Sequence, residues 1–197
     1  MIILENIINR IIKPVTEKYK EKSLDLVEEV FSEHDGKKEG LHVREMVNEI
    51  RLKKYYLPEL DLMAIDDDGE IIGYTMFSRF HIENKYENEL LLLTPVAVKT
   101  KFQRQHISKD MLEYGFEKAK KMGFTAILVE GNPKNYNSRG FVTSSDYGII
   151  PSESVKKHLP KIECLMVKEL VPGTLERMNG KVDYSFYQTL REEELER

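Results

Sequence analysis

Leu90-Leu91-Leu92-Leu93-Thr94-Pro95-Val96-Ala97-Val98, continued by Lys99-Thr100-Lys101-Phe102-Gln103-Arg104-Gln105-His106-Ile107-Ser108, decides the fold. The first half is a near-continuous apolar run, the pattern of a strand buried on both faces. Thr94-Pro95 interrupts it. A proline inside a strand removes a ladder donor, so it belongs at a bulge or an edge. The second half is a polar loop that feeds a helix. Ile107, Met111, Gly115, Ala119 and Met122 share one face of that helix, and Gly123 ends it. Phe124 to Val129 then reads as another strand. Strand, helix and strand in succession make a parallel crossover unit.

Outward from this unit, the chain upstream reads as a strand over Ile7 to Val15 and a helix from Thr16 to Phe31. Leu24, Val27, Val30 and Phe31 lie on one face of it, and His34-Asp35-Gly36 breaks it. Val43, Met46, Val47 and Ile50 repeat at helical spacing. Leu60 to Ile65 and Ile71 to Phe80 flank Asp66-Asp67-Asp68-Gly69, a hairpin signal. The three aspartates are what such a turn uses; an EF-hand needs later ligands that are absent. Downstream, Gly131-Asn132-Pro133 opens a turn or short helix, and Ile162 to Leu170 supplies a last strand. The tail from Val171 carries Tyr184, Phe186 and Tyr187, expected to pack back on the same domain, with Arg191 to Arg197 a solvated end. One domain, residues 1–170, with a tail over 171–197, is the expected organisation.

The whole chain has 197 residues, 41% hydrophobic and 32% charged, with a net charge of -4. That length sustains a core without staples. The acidic balance argues against a general nucleic-acid binder. No apolar run approaches the roughly 18 residues of a membrane span, and the N-terminus lacks the pattern of a signal peptide. One cysteine, Cys164, forms no internal disulfide, which fits a reducing, cytoplasmic setting. It reads as a buried structural thiol within the last strand rather than a nucleophile.

From Lys99 to Lys109 the basic residues Lys99, Lys101, Arg104 and Lys109 face no acidic neighbour in sequence. A helix N-terminus presents unpaired N–H groups and the positive end of the dipole, a ready phosphate site. The same features also describe a solvated helix cap. His34, His42 and His81 have suitable intrinsic pKa for proton transfer, but no spacing links them. No Ser-His-Asp set and no zinc spacing emerges.

The order of elements resembles the GNAT superfamily of acyl-CoA-dependent N-acyltransferases. A bacterial subgroup of predicted acetyltransferases carries L-x-P-L/V-A-V, then Q-x-x-G-x-G, then G-D-P-x-Y-Y-x-R-F-G-F. The chain has Leu93 to Val98, Gln103 to Ser108, and Gly131-Asn132-Pro133-Lys134-Asn135-Tyr136-Asn137-Ser138-Arg139-Gly140-Phe141. The subgroup's tail, L-x-P-G-x-L, is similar to Leu170 to Leu175. The resemblance runs from Ile11 to Tyr184.

It implies a mixed α/β fold: a mostly antiparallel sheet with a central splayed parallel strand pair and flanking helices. It implies acetyl-CoA as co-substrate, held by Val96, Ala97 and Val98 on the strand and by Gln103, Arg104, Gln105, His106, Ile107, Ser108 and Lys109 in the loop and helix start. It implies Tyr136, four residues before Gly140, as the acid that protonates the leaving thiolate. The acceptor would be a small-molecule or peptide amine, with no nucleic acid and no membrane as partner, and the protein a monomer or homodimer. Glu89, opening the strand that carries the bulge, is a candidate base acting through water. One departure stands out. His106 and Ser108 occupy the positions of the two glycines, whose lack of Cβ lets backbone N–H groups approach a pyrophosphate. Either the pyrophosphate sits farther out, or the chain is a non-catalytic module with weakened or lost CoA binding. A protein-interaction domain is a third reading, favoured if the aromatic tail is exposed.

Overall fold

A computed structural model of the protein describes residues 9–189. The first strand is shorter than expected: β1 spans Ile11–Pro14, and Ile7 and Ile8 lie outside the described residues. Two antiparallel helices follow, α1 (Lys20–Asp35) and α2 (Lys37–Leu52), joined through Gly36 at φ +95°. Helix α1 runs past Phe31 because the break needs the left-handed residue, and that residue is Gly36.

Strands β2 (Asp61–Ile65) and β3 (Ile71–Ile82) form the expected hairpin. The Asp66 carboxylate accepts from the backbone N–H of Asp68 (3.1 Å) and Glu70 (2.9 Å), so it builds the turn. A second hairpin joins β3 to β4 (Lys85–Val98) through Glu83 and Asn84, both at positive φ. Its polar rim hides the strand start in the sequence: β4 begins well before Leu90. Then come α3 (Ile107–Lys121), β5 (Ala126–Glu130) and α4 (Pro133–Tyr136). Beyond them lie β6 (Val142–Thr143), β7 (Ile149–Pro151), α5 (Glu153–His158), β8 (Leu165–Glu169) and β9 (Gly180–Val182). The last expected strand starts at Leu165, not Ile162. Ile162–Cys164 forms a 3-10 turn, so Cys164 is half-buried outside the strand rather than buried within it. Its carbonyl accepts from the Gly131 N–H at 2.9 Å.

The main sheet has the order β1-β2-β3-β4-β5-β8-β6, and every pairing is antiparallel except β4 with β5. This is the mixed sheet with one central parallel pair that the resemblance implies. Alternation of the apolar runs explains its burial. Leu90, Leu92, Ala126 and Leu128 pack on the face covered by α1 and α2, while Leu91, Leu93, Ile127 and Val129 pack toward α3. Asp61 is fully buried where α2 meets β2. It accepts from Arg51 Nε at 2.9 Å and from the Tyr56 hydroxyl at 2.9 Å.

The tail returns across the α1/α2 face. Strand β9 pairs parallel with β7, and Tyr184 and Tyr187 are buried beside Phe80 and Tyr55. These rings are core, which removes the observation that would have favoured an exposed aromatic docking tail. Arg191 to Arg197 lie outside the described residues. Among the described residues no helix is long and apolar enough to cross a membrane.

Candidate active site

Parallel pairing of β4 and β5 covers only Leu90 to Leu92 against Ala126 to Leu128. Beyond it the strands part. On its other side β4 pairs with β3, where Thr75 faces Val96 and Phe77 faces Leu93, so Thr94 and Pro95 together oppose Met76. The proline is therefore at a bulge, as its missing N–H requires.

A crevice of about 620 Å³ opens at this parting. Val96 and Val98 line it, whereas Ala97 points to the opposite face and is buried in the core. The loop brings Gln103, Arg104 and His106 to the crevice, and the helix start brings Ile107, Ser108 and Lys109. Gln105 is not among the residues that line it; its amide oxygen is buried and takes no partner among the described residues. Gln103 Nε2 donates to the Val98 carbonyl (3.2 Å) and lies 3.2 Å from His34 Nε2, tying strand end, loop and α1 together.

Arg104 and His106 sit at φ +62° and +63°, the left-handed region that glycine adopts most readily. The loop thus keeps a glycine-like path at His106 without the glycine. Among the described residues no side chain caps α3, and its first backbone bond from this end runs from Asp110 N–H to the His106 carbonyl. The N–H groups of Ile107, Ser108 and Lys109 take no partner among the described residues. They face the crevice with the positive end of a helix of 15 residues.

Tyr136 stands at the junction of two spaces. It lines the crevice and also a hollow of about 340 Å³ bordered by Glu39, His42, Met46, Pro95 and Glu130. Its ring packs edge-on against Phe141 at 5.3 Å. Burial raises the phenol above its ordinary pKa, and nearby Arg139 lowers it in part. The hydroxyl is therefore protonated at neutral pH, able to donate a proton. Gly131 makes room for the ring: a Cβ there would lie 2.3 Å from Tyr136 Cε2. Gly131→Ala is expected to displace the ring and cost about 1–3 kcal/mol, read by urea unfolding. A stability equal to the parent's would mean the ring has slack.

Glu89 is a correction. It lies within β4, not at its start, and at the end remote from the bulge, where its carboxylate pairs with Arg177. With six residues to Pro95 at about 3.3 Å each, it stands far from the crevice. The site also takes Val30, Phe31 and His34 from the end of α1, Arg139 from the turn after α4, and Glu39, His42 and Glu130 around the hollow; the sequence offers His34 and His42 as histidines that no spacing links and gives Arg139, Glu39 and Glu130 no role. Of these, the helical face shared by Val30 and Phe31 and the intrinsic pKa of the two histidines are the signals that the sequence carries.

Residues 25–146 match the family model described as "Acetyltransferase (GNAT) family". The chain is 25% identical over 126 residues to the uncharacterized N-acetyltransferase YhbS of Escherichia coli strain K12, a match covering 64% of this chain and 71% of YhbS. Its fold is similar to the crystal structure of E. coli YhbS in complex with CoA, with a TM-score of 0.75, 18% identity and 90% of each chain covered. It is also similar to a GNAT family acetyltransferase from Brucella melitensis in complex with acetyl-CoA. There the TM-score is 0.59 at 24% identity, covering 68% of this chain and 82% of that one.

Proposed function

The chain belongs to the acetyltransferase (GNAT) family, and from that premise we propose that it moves an acetyl group from acetyl-CoA to a primary amine of a small molecule or peptide. The observation that carries this reading is Tyr136, a protonated phenol at the meeting point of a cationic crevice and a second hollow. The stretch from Gly131 to Phe141 resembles the signature of the bacterial subgroup named above, which supports this reading, and the single cysteine fits a cytoplasmic enzyme.

The residues fit CoA. The free N–H groups at the start of α3, with Arg104, Lys109 and Arg139 around them, suit a pyrophosphate. The parted edge of β4 at Val96 and Val98 leaves backbone groups and an apolar wall for the pantetheine arm. Acetyl-CoA supplies a thioester carbon that an amine can attack. Tyr136 would protonate the sulfur as its C–S bond breaks, and the proton that the amine nitrogen loses would restore the phenol. The amine enters from the hollow and must be neutral to react; Glu39, His42 and Glu130 are the titratable groups that line its approach.

The rival reading, a module that has lost CoA, rests on His106 and Ser108 in place of glycines. Calorimetric titration separates the two. Saturating acetyl-CoA at a hundred times its Kd is expected to stabilise by about 2.7 kcal/mol and raise Tm by about 5–10 °C. No heat and no shift at millimolar CoA would favour the module.

A further inference from the structure

Behind Arg139 lies a hollow of about 490 Å³ that the mechanism above does not use. It is walled by α3 (Lys109, Glu113, Phe116), by the turn after α4 (Arg139) and by Lys168 of β8. His106, Lys109 and Arg139 border both this hollow and the crevice, while nothing from β4 or β5 reaches it. Its charge is lopsided: Lys109, Arg139 and Lys168 against Glu113, which lies 3.8 Å from Lys109.

Among the described residues two of these cations lack carboxylate partners. The Lys168 ammonium sits 5.2 Å over the Phe116 ring and makes no ion pair among the described residues; burial alone holds its pKa below the ordinary lysine value. It lies against Gly140, where a Cβ would come within 2.6 Å of Nζ. Arg139 donates to the Asn135 carbonyl and, at 3.1 Å, to Ser108 Oγ, yet its Nε is buried with no partner. Two cations that no carboxylate pairs among the described residues border one hollow, an arrangement that suits a phosphate group.

Position then selects the phosphate. The hollow adjoins the start of α3 through His106, Lys109 and Arg139, so a phosphate one ribose away from a pyrophosphate seated there reaches it. We propose that this hollow seats the ribose 3′-phosphate of CoA, with Lys168 as its principal charge partner and Arg139 shared between it and the pyrophosphate. This rests on the acetyl-CoA reading given above.

The test compares CoA with 3′-dephospho-CoA, which differ only in that group, by calorimetry on the full chain. The parent is expected to bind CoA about tenfold or more tightly than the dephospho form, the value of one charge-assisted contact. Lys168→Met is expected to weaken CoA by about tenfold, leave dephospho-CoA within about twofold, and so erase the preference. Lys168→Arg, which keeps the charge, is expected to retain it. A parent that binds both forms equally would overturn the proposal. So would a Lys168→Met variant that weakens both alike, because that is the mark of lost packing on Phe116. A parent that binds neither form overturns the acetyl-CoA reading itself, and the 3′-phosphate seat with it.

Discussion

Tyr136→Phe is expected to lower kcat by about 10²–10⁴-fold while CoA affinity stays nearly unchanged. The change deletes one oxygen and keeps the ring, so the edge-on contact with Phe141 and the fit over Gly131 survive. What it removes is the proton donor at the junction of crevice and hollow. The phenol is held above its ordinary value of about 10 by burial, so it stays protonated through neutral and mildly alkaline pH. An acid is active below its pKa, so the rate supported by Tyr136 should persist past neutrality and fall only in strong alkali. That alkaline fall should be missing in the variant. Amines screened for thiol release provide the assay. A variant that turns over like the parent, with chemistry shown to limit the rate, would return Tyr136 to packing.

Asp61→Ala is expected to destabilise the fold by about 3–5 kcal/mol, a drop in Tm of roughly 6–20 °C. Asp61 is fully buried, and Arg51 almost so; its guanidinium donates to Asp61 through Nε (2.9 Å) and Nη2 (3.2 Å). Burial opposes the Arg51 charge, and Asp61 is the carboxylate that offsets it. Removing Asp61 strands that charge and leaves the Tyr56 hydroxyl without its acceptor. Such a loss is a large part of the 5–15 kcal/mol typical of a domain. Replacing both partners, Arg51→Met with Asp61→Leu, is expected to cost much less, because no lone charge remains. Urea unfolding of the three proteins decides it; equal losses in the single and double variants would mean that shape, not charge, is at stake. The pair also anchors α2 to β2, and α2 carries His42 and Met46 to the acceptor hollow.

The core of the fold was legible because its signals are local. Period-two and period-3.6 patterns fix which residues can share a face, and they marked β2, β3, β4, β5 and the three long helices. Pro95 announced its bulge for a covalent reason, its missing N–H. Asp66 to Gly69 announced a turn. Strands β6, β7 and β9 did not show, since two or three residues hold no period. The polar rim of the β3–β4 hairpin hid too, because a strand end that overhangs the core has no buried face to write into the sequence.

The site divides along the same line. Gln103 to Lys109 could be picked out because a helix start following a loop is a property of neighbouring residues, and Tyr136 because of the resemblance. Glu89 reads as a strand start because the polar rim before it carries no period, and the six residues of strand between it and Pro95 keep it from the bulge. Lys168 and Arg139 could not be paired from the sequence at all. They border one hollow because β8 lies next to β5 and because Gly140, which closes the turn that carries Arg139, lies against the Lys168 side chain. The end of α1 reached the crevice through helix packing on the sheet. Periodicity determines which face a side chain occupies; which partner that face meets depends on strand order and helix docking, which are set by burial summed over the whole chain.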